Sequence, residues 1–144
     1  MSFEPTIDFN VSENHPDVEI NSKWAGWLYA AAEVEGSAVK LLSYTFVTDD
    51  ELLALNKEYL NHDYYTDILT FPLTDQDDGL EGDIYISLPR VKENAETLGE
   101  DYDREVRRVM IHGLLHLVGY DDRTDDLKEE MRDREDFYLN AWLD

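Results

Sequence analysis

A chain of 144 residues with no cysteine, 34 acidic and 12 basic side chains, and a formal charge of −22 has no disulfide framework and no thiolate site, so a transition metal must be held by His, Asp or Glu. A field of that sign repels polyanions at long range and argues against nucleic-acid binding by the surface as a whole. The length suits one domain over residues 1–144, and MSFEPTIDFN has neither a basic n-region nor an apolar h-region. No apolar run approaches the ~20 residues of a membrane helix, so a soluble, cytoplasmic protein is expected.

Ile7, Phe9 and Val11 alternate with polar residues and predict a half-buried strand, followed by a turn at Asn14–Asp17 with Pro16. From Asn21 or Ser22 as N-cap, Trp24, Trp27, Leu28, Ala31 and Ala32 recur at helical spacing, predicting a helix that Gly36 ends and whose tryptophans are core. Val39–Val47 reads as a second strand with Leu42, Tyr44 and Phe46 on one face. Thr48 and Glu51 then form a TxxE capping box opening a helix that carries Leu52, Leu53 and Leu55.

From Asn56 a polar and aromatic loop leads to a short strand, Ile68–Phe71. Asp75–Gly79 is a turn by composition, and Gly82–Ser87 is a strand expected to pair with the preceding one, Ile84 and Ile86 facing one way. Asp67 and Asp83 open these two strands. A carboxylate there can orient a metal-bound histidine through its free ring nitrogen, although capping a turn is the commoner use. His15 and His62 have no partner at ligand spacing and read as solvated loop residues.

Ser87 and Pro89 suit a helix start, with Val91, Ala95 and Leu98 on one face and Gly99 at its end. Asp101 and Asp103 begin a central helix whose core candidates are Val106, Val109, Met110, Leu114 and Leu117. A last helix starts near Thr124 and carries Leu127, Met131, Tyr138 and Trp142 on one stripe. Strands and helices intermix, which predicts an α+β fold: a small mixed sheet covered by helices, with the His112 helix buried against it. Nine of the twelve basic residues lie between Arg90 and Arg134, and most are expected to pair with the acids interleaved among them. The acidity and the low lysine content also suit a cytoplasm of high salt, where screening removes much of the repulsion.

Ile111–Asp122, IHGLLHLVGYDD, is where metal-binding side chains converge. His112 and His116, four residues apart on a helix, leave the same face one turn apart and can bind one ion. Gly119 takes positive φ cheaply and can reverse the chain, swinging Asp121 or Asp122 back beneath the histidines. The pattern HxxxHxxGxxD has the ligand spacing of the metzincin peptidases with an aspartate as third ligand. A peptidase would carry Glu directly after the first His as general base; this chain has Gly113 there.

Three stretches, TDILTFP (Thr66–Pro72), GDIYIS (Gly82–Ser87) and HGLLHLVGYDD (His112–Asp122), resemble in order and spacing the YbeY family of metal-dependent endoribonucleases and rRNA maturation factors. The resemblance runs from about Asn56 to the end of the last helix. It implies a zincin-like α+β fold with a metal-bearing central helix, one zinc ion, and single-strand-specific cleavage of RNA in 16S rRNA 3′-end maturation and ribosome quality control, with ribosomal RNA and the small ribosomal subunit as partners. His112, His116 and Asp122 would hold the zinc with a fourth position left to water, and no protein base is identified.

Two positions depart from the family pattern. Asp122 stands where a third histidine is usual; a carboxylate is an accepted zinc ligand, but its charge should acidify bound water less than a neutral imidazole would. Leu60 follows Tyr59 where the family commonly carries an arginine, which removes a phosphate contact. The alternatives are a non-catalytic ribosome-assembly factor with a structural metal, and a metallopeptidase, which Gly113 counts against because losing a positioned base costs roughly 10²–10⁴-fold in rate.

Overall fold

The computed structural model describes residues 6–13, 18–73 and 79–142; His15 and most of both anticipated turns, Asn14–Asp17 and Asp75–Gly79, lie outside them. The elements run β1 (Thr6–Val11), α1 (Trp24–Val34), β2 (Val39–Val47), α2 (Asp49–Leu60), β3 (Ile68–Pro72), β4 (Leu80–Ser87), α3 (Leu88–Leu98), α4 (Tyr102–Val118) and α5 (Asp125–Asn140). Four strands form one mixed sheet in the order β1-β2-β4-β3. β1 and β4 run parallel to β2, while β3 forms an antiparallel edge on β4 with Ile68 opposite Ile86. The chain is α+β, as expected.

The period-2 pattern of the strands divides the core. Leu42, Tyr44, Phe46, Ile84 and Ile86 are fully buried on the face covered by α1, α3, α4 and α5, whereas Val47 and Leu69 turn to the other face, where Leu52 of α2 covers them. The Tyr44 hydroxyl sits among apolar side chains and donates to the Met110 carbonyl of α4 at 2.9 Å, so the sheet and the central helix are tied by a polar contact as well as by packing.

Caps set most helix ends. Thr48 and Glu51 form the full capping box, Ser87 accepts from the Arg90 amide, Asp101 from Arg104 and Thr124 from Leu127. Four expectations are corrected. The first helix begins at Trp24 with Lys23 as N-cap, and Asn21 instead accepts from the Lys23 amide at 2.9 Å. α2 continues through Asn56 to Leu60; the Asn56 side chain is buried and its Nδ2 donates to the Tyr64 carbonyl at 2.9 Å, tying the following loop to the helix instead of ending it. Leu98 is 60% exposed rather than core, being in the last turn of α3 beyond the reach of the sheet. Asp83 lies within β4 opposite Phe71 rather than at its mouth.

Gly113 has a packing reason. A Cβ there would stand 3.1 Å from Ile68 Cδ1 and 3.2 Å from Ile84 Cδ1 and Cγ2, so the absence of a side chain lets α4 lie close against β3 and β4. The position after the first histidine faces the sheet, and a side chain there would require Ile68 and Ile84 to shift.

Candidate metal centre

α4 carries His112 and His116 one turn apart, with ring centroids 4.7 Å apart and planes at 81°. Its C-terminus reverses at Gly119, whose φ of 125° a residue with a Cβ would rarely adopt; the Tyr120 amide closes the turn on the Leu115 carbonyl. The bend brings Asp122 back so that its Oδ2 lies 3.4 Å from Nε2 of each histidine. Asp121, the other candidate, turns away: it accepts from the amides of Asp122 and Arg123 and pairs with the Arg123 guanidinium at 2.5 Å.

The donor set suits zinc. One ligand atom from each of His112, His116 and Asp122 lies within 4.8 Å of the others, and the atoms of a tetrahedral zinc bound at ~2.0–2.1 Å stand roughly 3.3 Å apart. All three side chains keep partial access to solvent, so a small molecule can reach the point between them.

Behind His112 stands a residue that spacing did not reveal. Glu135 of α5, 5% exposed, meets His112 Nδ1 at 2.6 Å. A carboxylate only accepts, so Nδ1 keeps its proton and Nε2, which faces Asp122, is the nitrogen left for a metal. Glu135 also accepts from Arg108 at 2.9 Å, and the second arm of that guanidinium reaches Asp136 at 2.5 Å. Burial disfavours the His112 imidazolium, but the hydrogen bond and charge of Glu135, with Asp122 and Asp67, outweigh it and hold the pKa above its ordinary value. Metal binding therefore displaces a proton. Glu135 falls four residues after Met131 and three before Tyr138, and an acid on that apolar stripe was the available signal.

A second acid, Glu35 just beyond α1, holds the bend from the other side. It accepts from the Tyr120 hydroxyl at 2.8 Å, from Arg134 at 2.5 Å and from the Tyr138 hydroxyl. Burial alone would raise its pKa; the hydrogen bonds from Tyr138, Arg134 and Tyr120 reverse the sign and hold it below the ordinary carboxylate range.

The donors open onto a cleft of about 410 Å³ between α4 and the edge strand, walled by Thr66, Asp67, Ile68 and Thr70. Asp67 lines this cleft, where burial pushes its carboxyl pKa up and Asn94 donates to it at 3.4 Å. A larger groove of about 980 Å³, among Trp24, Val106, Arg107 and Trp142, contains none of the donors, so size does not mark the chemistry here. His62 is far from ligand duty, stacked on Tyr64, and Leu60 ends α2 as an exposed apolar residue without a cationic group. Several flanking arginines are ion-paired: Arg90 with Asp49, Arg108 with Glu135, Arg123 with Asp121 and Arg134 with Glu35.

The model of the family Endoribonuclease YbeY matches residues 7–143. An endoribonuclease YbeY of Cytophaga hutchinsonii is 41% identical over 95% of this chain and 96% of its own length, and one of Flavobacterium psychrophilum is 38% identical over 99% and 96%. Among solved structures, a solution structure of a Thermotoga maritima protein superposes with a TM-score of 0.63 at 28% identity, covering 94% of this chain and 87% of that one. With the match running through every element that builds the centre, and with relatives of nearly its own length, this chain belongs to the endoribonuclease YbeY family.

Proposed function

We propose that this chain is a zinc-dependent endoribonuclease that cuts single-stranded RNA, and that its task is cytoplasmic: 3′-end maturation of 16S rRNA and quality control of the small ribosomal subunit. The observation that carries the reading is the convergence of His112, His116 and Asp122 at the mouth of a solvent-open cleft, in a chain of this family. When bound, zinc supplies Lewis acidity toward a phosphodiester oxygen or a water molecule.

The chain's own residues do the rest. His112 and His116 present Nε2, and Glu135 fixes the His112 ring and its tautomer through Nδ1. Asp67, in the wall of the cleft, holds a proton more readily than an ordinary aspartate and is placed to exchange one at a carboxylate oxygen during phosphodiester attack. Gly113 carries no side chain and cannot be the base, which counts against a peptidase mechanism.

The test is to incubate the zinc-loaded protein with single-stranded RNA and, separately, with unfolded casein. RNA shortened and casein intact is the expected result; RNA intact under conditions where zinc is bound overturns the enzyme reading and favours a structural metal. His116→Ala should lose stoichiometric zinc and cleavage together, and a full equivalent of zinc retained by that variant overturns the ligand set.

A further inference from the structure

The end of α2 and the segment joining it to β3 expose aromatic rings. Tyr59, Tyr64 and Tyr65 are 62%, 55% and 47% exposed, and a cluster of apolar surface of this kind marks a binding site more often than an accident. None of the rings is loose. Tyr59 meets Phe71 of β3 edge-on with centroids 5.8 Å apart. Tyr64 stacks on His62 at 5.1 Å with 20° between the planes, and its hydroxyl shares a 3.0 Å hydrogen bond with His62 Nδ1. Tyr65 has the Arg90 guanidinium 4.8 Å from its ring centre and donates to Asp50 at 3.0 Å.

The backbone is held as well. The buried Asn56 amide donates to the Tyr64 carbonyl at 2.9 Å, and the His62 N–H donates to the Asn56 carbonyl at 3.1 Å. The Tyr64 and Tyr65 rings are thus held by the protein while about half of each residue stays exposed, so little side-chain freedom remains to be lost when a planar ligand lands on them. The residues that follow, Thr66 to Thr70, wall the cleft that holds His112 and His116. Tyr64 and Tyr65 stand directly before that wall in the chain, whereas Tyr59 packs on Phe71 on the α2 face of the sheet.

Charge decides what such a strand can offer. Lys57 is paired with Asp63 at 3.2 Å and Arg90 with Asp49 at 2.6 Å, while position 60 is an exposed leucine. In a chain of charge −22, phosphates find little here to attract them. The open π faces suit nucleobases, which are free to stack only where the strand is unpaired.

Resting on the endoribonuclease reading above, we propose that Tyr64 and Tyr65 form a nucleobase-stacking platform that captures single-stranded RNA next to the metal cleft, with affinity drawn from bases rather than phosphates. Two consequences separate this from binding by a basic surface: affinity falls only weakly as salt rises, and a duplex is not held.

The experiment measures fluorescence anisotropy of a labelled 2′-O-methyl oligouridylate, which resists cleavage, on the zinc-loaded full chain. Tyr64→Ala and Tyr65→Ala should each weaken binding roughly tenfold. Tyr64→Phe should keep wild-type affinity, and Tyr64→Leu, apolar but not aromatic, should behave as alanine does. An abasic oligomer of the same length should bind wild type no better than the uridylate binds the variant with both Tyr64→Ala and Tyr65→Ala. Unchanged zinc content and melting temperature of the variants show that only the platform was removed. Equal affinity of wild type and the double variant, or of the abasic and uridylate oligomers, overturns the platform while leaving the nuclease standing. Wild-type protein that neither binds nor cuts RNA overturns both.

Discussion

Two arginine–carboxylate pairs, one buried and one part-buried, back the metal centre, and they differ in what they hold. Glu135, paired with Arg108, touches a candidate ligand directly: His112 is oriented by its hydrogen bond. Glu35, paired with Arg134, touches no ligand; it holds the Tyr120 hydroxyl, two residues before Asp122, and so fixes the bend rather than the donor. Ion pairs of this kind offset their own desolvation poorly and are weak evidence of stability. Here each serves to place a group, one by contact and the other through a tyrosine. Direct and relayed positioning should therefore fail by different amounts.

The largest effect is expected at the direct pair. Glu135→Ala removes the acceptor of His112 and leaves Arg108 buried with only part of its compensation, so zinc affinity should fall roughly 10–100-fold and stability by about 3–5 kcal/mol. Competition with a chelator and urea unfolding measure the two losses separately. Wild-type zinc affinity in a folded Glu135→Ala protein would break the contrast at its first term.

At the relayed pair the loss should be smaller and confined to the bend. Tyr120→Phe deletes one hydrogen bond to a carboxylate and should cost about 1–2 kcal/mol, with only a few-fold loss of zinc affinity. Acid gives a second handle. The Glu35 pKa is held below its unfolded value, so its contribution to stability is present above the ordinary carboxylate range and is lost as pH falls through the lowered value. Wild type should lose stability there more steeply than Glu35→Gln, which has no charge left to titrate.

A third carboxyl sharpens the comparison by having no such partner. Among the described residues Asp67 makes no ion pair, and its pKa is raised, chiefly by burial. The folded state therefore binds its proton more tightly than the unfolded state, so stability falls as pH rises from the unfolded value through the raised one. Asp67→Asn should raise the melting temperature of the metal-free protein at neutral pH while slowing RNA cleavage. A variant that is both slower and less stable would assign Asp67 to structure alone.

The smallest effect belongs to the surface. Molar KCl screens repulsion among exposed acids and should raise the melting temperature by a few degrees over low salt, while leaving the zinc deficits of the Glu135 and Tyr120 variants nearly unchanged. Deficits that vanish in salt would mean that the two pairs act through the general field and not by contact.

Sequence alone established much about this protein. The strand spanning Val39 to Val47, the Thr48–Glu51 capping box, the Gly119 reversal and the facing histidines are written in periods and caps that span a few residues, and local geometry follows from local chemistry. The family motif is legible for the same reason. Tertiary structure decided the rest: that Asp122 and not Asp121 turns to the histidines, that Gly113 is a close approach to Ile68 and Ile84, and that Asp67 lines the cleft. It also supplied the residues behind the ligands, since Glu135 lies 23 residues from His112 and Glu35 lies 85 from Tyr120. Contacts of that span have no period to betray them, because they exist only once the sheet has fixed where each helix packs.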